Sequence, residues 1–282
     1  MRKGLYLALS ILLAVLLCAC TGTAGNDPTP PTYEEPSTVD PGNETTEATE
    51  PTTEATEPEE TEPEETEPTE PEHSELYLPE YAPQQIIAYF EEVVLHSEYT
   101  DGSGNPALIQ KWVMPISYRI YGTPTEEDLA VLENLFAQLN EIPGFPGISP
   151  AEDGCFDNLA ISFLNPDAFR NEFSDVVHGE EAFGAVQYWY YDDLNEIYSA
   201  RIGYRTDLEQ VIRNSVLVEE IINGLGISDT VLRTDSIVYQ YSDDNLAPSD
   251  VDWVIVKLLY DPAIQCGMNL EECTAVIETL YY

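Results

Sequence analysis

The stretch Ser215–Asp229, SVLVEEIINGLGISD, decides how the C-terminal half of this chain is read. Its apolar residues recur at helical spacing. With the residues before it, Leu208, Val211, Val218, Ile222 and Leu225 fall on one stripe of a helical wheel. A helix is expected from Asp207 to Gly224, closed by a glycine C-cap. Glu219 and Asn223 lie at the edge of that stripe, where acidic and amide side chains ordinarily form a solvated margin.

Outward from this helix, the domain alternates strand and helix patterns. Apolar spacing predicts a helix over Pro83–Leu95. Alternation predicts a strand over Trp112–Tyr121, and the Thr125-Glu126-Glu127-Asp128 capping pattern opens a helix carrying Leu129, Leu132, Leu135, Phe136 and Leu139. A second strand is expected at Asn158–Leu164, followed by a short helix opening at Asn165-Pro166. Ala185–Tyr190 and Glu196–Tyr204 read as paired strands around an Asp-Asp-Leu-Asn turn. Ser249 caps a helix running to Tyr260, and Asn269 opens the last one. The expectation is an α+β fold: one mixed-sheet domain with a helical C-terminal part.

The N-terminal end has a different character. Met1-Arg2-Lys3 precedes an apolar run, Leu5–Leu17, too short to span a bilayer comfortably. It ends in Leu17-Cys18-Ala19-Cys20, which resembles the lipobox of bacterial lipoproteins. That resemblance implies a signal peptide over 1–20, lipidation of Cys20 and an extracytoplasmic protein anchored to the bacterial cell membrane. An ordinary secretory signal cut further on is the alternative. Residues 21–75 form a Thr/Glu/Pro-rich segment expected to be a disordered stalk, since it has too little apolar surface to offset the entropy of ordering. Fully stretched, it would reach on the order of 150 Å. Residues 76–282 are expected to be the globular domain.

The formal net charge is −43. Residues 27–75 hold 18 acidic and no basic residues, and the signal segment holds two basic ones, so residues 76–282 carry −27. Such a domain repels phosphate backbones, and nucleic acid is not expected as a partner. Three cysteines lie beyond the signal: Cys155, Cys266 and Cys273. Cys266 and Cys273 are the expected disulfide candidate, with three free thiols as the alternative.

The C-terminal segments resemble the zinc-dependent metzincin peptidases, whose signature is H-E-x-x-H-x-x-G-x-x-H followed by a Met-containing turn and a final helix. Glu219-Glu220-Ile221-Ile222-Asn223-Gly224-Leu225-Gly226 matches that register, with Gly226 at the turning glycine. Ser236-Ile237-Val238-Tyr239 resembles the Met-turn, with valine in place of methionine, and Leu246–Asp252 with Leu258-Leu259-Tyr260 resembles the final helix. The whole domain is more similar still to the domain-of-unknown-function family 2927 of bacterial lipoproteins. The EEIINGLG helix, the Ser-Ile turn and the LLYDP…GMNLEE ending carry that likeness.

Departures from the peptidase pattern determine the functional expectation. Glu219, Asn223 and Asp229 stand at the three histidine positions, and only Glu220 keeps the identity of the catalytic glutamate. The chain has three histidines, His73, His96 and His178, none of them in this segment. Without a Lewis acid, Glu220 has no acidified water to deprotonate. Oxygen ligands suit Ca²⁺ or Mg²⁺, but three from one segment are few for calcium. No cofactor and no metal is expected, and Glu219, Glu220, Asn223 and Asp229 are read as a degenerate site.

The expected protein is a pseudo-peptidase acting as a binding or scaffolding module, with a peptide or glycan of the cell envelope along the former substrate cleft. One rival is a hydrolase using Glu219 and Glu220, although adjacent helical carboxylates diverge by about 100°. The other is a purely structural envelope protein. Two further candidates are an aromatic and acidic platform at Tyr188–Asp193, about half of it expected in the core, and His178-Gly179-Glu180-Glu181.

Overall fold

Local capping explains where most helices begin. In the computed structural model, which describes residues 74–95, 107–177 and 182–281, Thr125, Asn165, Ser249 and Asn269 each accept a hydrogen bond from the first turn of the helix they precede. They open α2 (Glu126–Asn140), α3 (Pro166–Glu172), α5 (Asp250–Tyr260) and α6 (Leu270–Leu280). α1 (Pro83–Val94) and α4 (Gln210–Asn223) start without a side-chain cap. Residues 1–73 lie outside the described residues, and with them the expected signal peptide, lipidated Cys20 and nearly all of the stalk.

The strands are β1 (Lys111–Trp112), β2 (Ile116–Gly122), β3 (Ile148–Pro150), β4 (Leu159–Leu164), β5 (Gly184–Tyr191) and β6 (Glu196–Arg205). They form one mostly parallel mixed sheet in the order β1-β6-β4-β2-β3, with β5 antiparallel against β6. The domain is therefore α+β, as its mixed strand and helix patterns predict.

Three expectations need correction. The single strand over Trp112–Tyr121 is two: β1 pairs with β6, while β2 pairs with β3 and β4. Pro115 lies in the break, where its missing N–H cannot serve a ladder. β3 is too short to show alternation, and the sequence reading did not anticipate it. Finally, α4 starts at Gln210 rather than Asp207, and Val211, placed on the buried stripe, is 52 % exposed. From Ser215 to Ile222 this helix is buried almost all round, so one amphipathic stripe does not describe it.

The sheet separates two apolar layers. Leu159, Ile161, Phe163, Ile202 and Tyr204 belong to the main core, with residues of α1, α2, α4, α5 and α6. On the other face, Phe169 and Phe173 of α3 pack with Ala185 and Leu164. Gly203 permits that approach, because a Cβ there would lie 2.2 Å from the Phe173 ring. A buried ion pair between Arg213 and Asp128 joins α4 to α2.

Candidate functional site

The C-terminus of α4 carries the candidate site. Gly224 is still helical, with φ −62°, and the chain turns at Gly226, where φ is +100°. A Cβ at Gly226 would come within 2.3 Å of the Gln110 carbonyl oxygen, so backbone conformation and packing both demand glycine. The turn brings Asp229 back towards the helix, and Asn223 Nδ2 donates to Asp229 Oδ1 at 2.8 Å. Asn223 Oδ1 is buried without a hydrogen-bond partner.

Glu219 joins the same group. Burial, followed by the negative charges of Asp229 and Asp243, pushes its carboxyl up to about 9. At neutral pH it is a neutral acid able to donate a proton. Burial and the neighbouring Asp244 also raise Asp243. The three positions matching the peptidase register, Glu219, Asn223 and Asp229, therefore converge. Asp243, which sequence reasoning missed, completes the cluster from a loop fourteen residues beyond Asp229, where no local pattern announces it.

Glu220 faces elsewhere. It is buried against β5, where a Cβ on Gly184 would lie 2.5 Å from Glu220 Oε1. Its charge also reaches Tyr204 of β6, whose hydroxyl is pushed well above its ordinary value mainly by burial and then by Glu220. The Tyr204 hydroxyl donates to the Leu217 carbonyl at 3.1 Å. The adjacent glutamates thus serve different surroundings, as their helical divergence predicts.

The Ser236–Tyr239 turn is held by a network that sequence reasoning did not identify. Asp252, in the first turn of α5, accepts from Ser236 Oγ (2.8 Å), Tyr89 Oη (2.7 Å), Ile237 N (3.0 Å) and Ser249 N (2.9 Å). Asn245 Nδ2 donates to the carbonyls of Ser236 (2.7 Å) and Thr234 (3.1 Å). Thr230 N donates to the Val238 carbonyl at 2.8 Å, tying the Asp229 segment to the turn.

The donor set does not fit zinc. Asn223, at the second ligand position, is an amide rather than an imidazole and presents its N–H group to Asp229. Among the described residues, no three His, Cys, Asp or Glu side chains are grouped to hold a metal ion. His73, His96, His178, Glu180 and Glu181 lie outside the described residues.

The expected Cys266–Cys273 bridge is not formed; Cys155, Cys266 and Cys273 are free thiols. Cys266 Sγ lies 3.7 Å from the Lys111 carbonyl oxygen, whereas Cys273 is fully buried on α6. Burial raises both thiols, Cys273 to about 11. Lys111 Nζ donates to the carbonyls of Leu259 (2.7 Å) and Ile264 (2.5 Å), and burial lowers its pKa.

No curated protein matches this chain. A family model does, over residues 83–279, from the first turn of α1 to the last of α6. The chain therefore belongs to the family described as "Protein of unknown function (DUF2927)".

Proposed function

We propose that this chain is a bacterial surface lipoprotein whose domain is metzincin-like and non-catalytic. Cys20 would carry the lipid and residues 21–75 the stalk. The domain would bind a peptide or glycan of the envelope beside the C-terminus of α4. The strand, hairpin and helix order ending at α4, and the positive φ of Gly226, support the architectural part of this reading.

One observation carries the non-catalytic part. At the three ligand positions stand a carboxyl, an amide that donates to Asp229 and a second carboxyl, with no imidazole, so the set lacks the ligands that would hold a zinc electrophile. The rival hydrolase would need Glu219 and Glu220 to act on one bond. Glu220 is instead packed against Gly184 while Glu219 faces Asp229 and Asp243.

The test combines metal analysis with proteolysis. The purified chain, dialysed and analysed for metals, is expected to retain no stoichiometric zinc and to cleave no protein substrate. Retained zinc, or metal-dependent cleavage abolished by Glu220→Ala, would end the reading.

A further inference from the structure

The β5–β6 hairpin carries an aromatic surface on the sheet face opposite α4. Strand alternation predicts that half of Tyr188–Tyr191 is core. Tyr188 follows that rule, with its hydroxyl 3.2 Å from Gln110 Oε1. The other three residues stay out. The register shifts between Trp189 and Tyr190, so Trp189 pairs with Ser199 and Tyr190 with Ile197, which leaves Tyr198 as the extra residue. A bulge of this kind re-aims side chains: Tyr191 stacks on Tyr198 with ring centroids 4.5 Å apart and planes at 30°. Trp189 is 39 % and Tyr191 44 % exposed. The parallel register of Trp112 with Ile197 brings Val113, 47 % exposed, alongside Tyr198.

α3 covers this face only as far as Gly203 and Arg201. Arg201 lies between the Phe173 ring (4.9 Å) and the Trp189 ring (5.8 Å), so one cation already rests against the edge of the aromatic surface. Asp175 holds that arginine through bonds of 2.7 and 2.9 Å, and it therefore presents no free positive charge to a ligand. Asp192 and Asp193, both exposed, rim the opposite end at the hairpin turn. The remaining aromatic faces are electron-rich, bordered by carboxylates and set in a strongly acidic domain.

We infer that Trp189, Tyr191 and Tyr198, with Val113 and the Asp192–Asp193 rim, form a docking surface for a cationic, lysine- or arginine-bearing segment of another protein. The basic side chains lie over the ring faces while their charges meet the rim, so recognition needs both groups. An anionic partner is repelled, and a neutral one makes no use of the rim. This surface lies on the sheet face away from α4, so failure here leaves the reading of the Glu219, Asn223 and Asp229 group untouched.

The test uses the full chain and a fluorescein-labelled octalysine peptide followed by anisotropy. Binding is expected to weaken steeply with added salt and at least tenfold when the lysines are acetylated. The Trp189→Ala/Tyr191→Ala pair should also weaken it at least tenfold. Trp189→Phe, which keeps a ring, retains binding, and Glu219→Gln in the other site leaves it unchanged. Absence of octalysine binding overturns the proposal. So does binding indifferent to the aromatic pair, which would reduce the effect to bulk acidity. Salt-independent binding of chitotetraose without octalysine would make the surface a glycan platform and would equally overturn it.

Discussion

Two polar clusters, one around Asp252 and one at the C-terminus of α4, are built on opposite terms. Asp252 accepts four hydrogen bonds, from Ser236, Tyr89, Ile237 and Ser249. The α4 cluster holds Glu219, whose carboxyl is pushed up to about 9, an Asn223 oxygen without a partner, and two further carboxyl groups. A saturated buried acceptor is a structural pin, because every donor around it depends on it. A cluster with an orphaned acceptor and a carboxyl far above its ordinary range is destabilising as it stands, which is a common property of sites that bind something. The contrast separates the residues that hold the Ser236–Tyr239 turn from those available for recognition.

The largest expected effect breaks the pin. Asp252→Ala removes the shared acceptor of the Tyr89–Ser236 hydroxyl pair and of two backbone amides, and is expected to destabilise by about 4 kcal/mol in urea unfolding. A loss under about 1 kcal/mol would mean that water replaces the carboxylate and the contrast is false. Next, Gly226→Ala meets both the positive φ and the Gln110 carbonyl, and should cost about 3 kcal/mol while displacing Asp229 from Asn223.

Glu219 provides the pH test. Its folded pKa of about 9 stands above the ordinary 4.5, so between those values the folded state keeps a proton that the unfolded chain has released. Its contribution is fullest below about pH 4.5, declines as pH rises and is exhausted above about 9. Glu219→Gln should flatten stability against pH across that window and stabilise by at least about 1 kcal/mol at pH 8, a figure discounted for partial exposure. An unchanged pH profile of the melting temperature would place the carboxyl in solvent. The smallest effect sharpens the comparison: Asn223→Ala loses one bond and one orphaned acceptor, and should lie within about 1 kcal/mol of wild type. Asn245→Ala, which loses two carbonyl contacts, should cost more in the same thermal melts.

Much of this was legible locally. Thr125, Asn165, Ser249 and Asn269 cap the helices that their sequence patterns predict, because a cap involves only the next three residues. Glu219, Asn223 and Asp229 were grouped only by the peptidase register; local spacing placed Glu219 and Asn223 on a solvated margin, whereas Glu219 is largely withdrawn from water. Asp243 and the Tyr89–Asp252 contact were not legible, because the latter spans 163 residues and leaves no periodic trace. The Cys266–Cys273 expectation failed on similar grounds. Seven residues of separation permit a bridge, but burial of Cys273 on α6 and the approach of Cys266 to Lys111 were settled by packing.

By itself the sequence determined the α+β class, most element boundaries and the absence of histidine from the α4 segment, because periodicity, capping and residue identity act over a few positions. Only the tertiary structure decided that α4 is buried almost all round, which neighbours Glu220 and Glu219 meet, and that the hairpin turns Tyr191 and Tyr198 outward. Those outcomes depend on which strand lies beside which helix, and on a single-residue bulge whose effect exists only once two strands are paired.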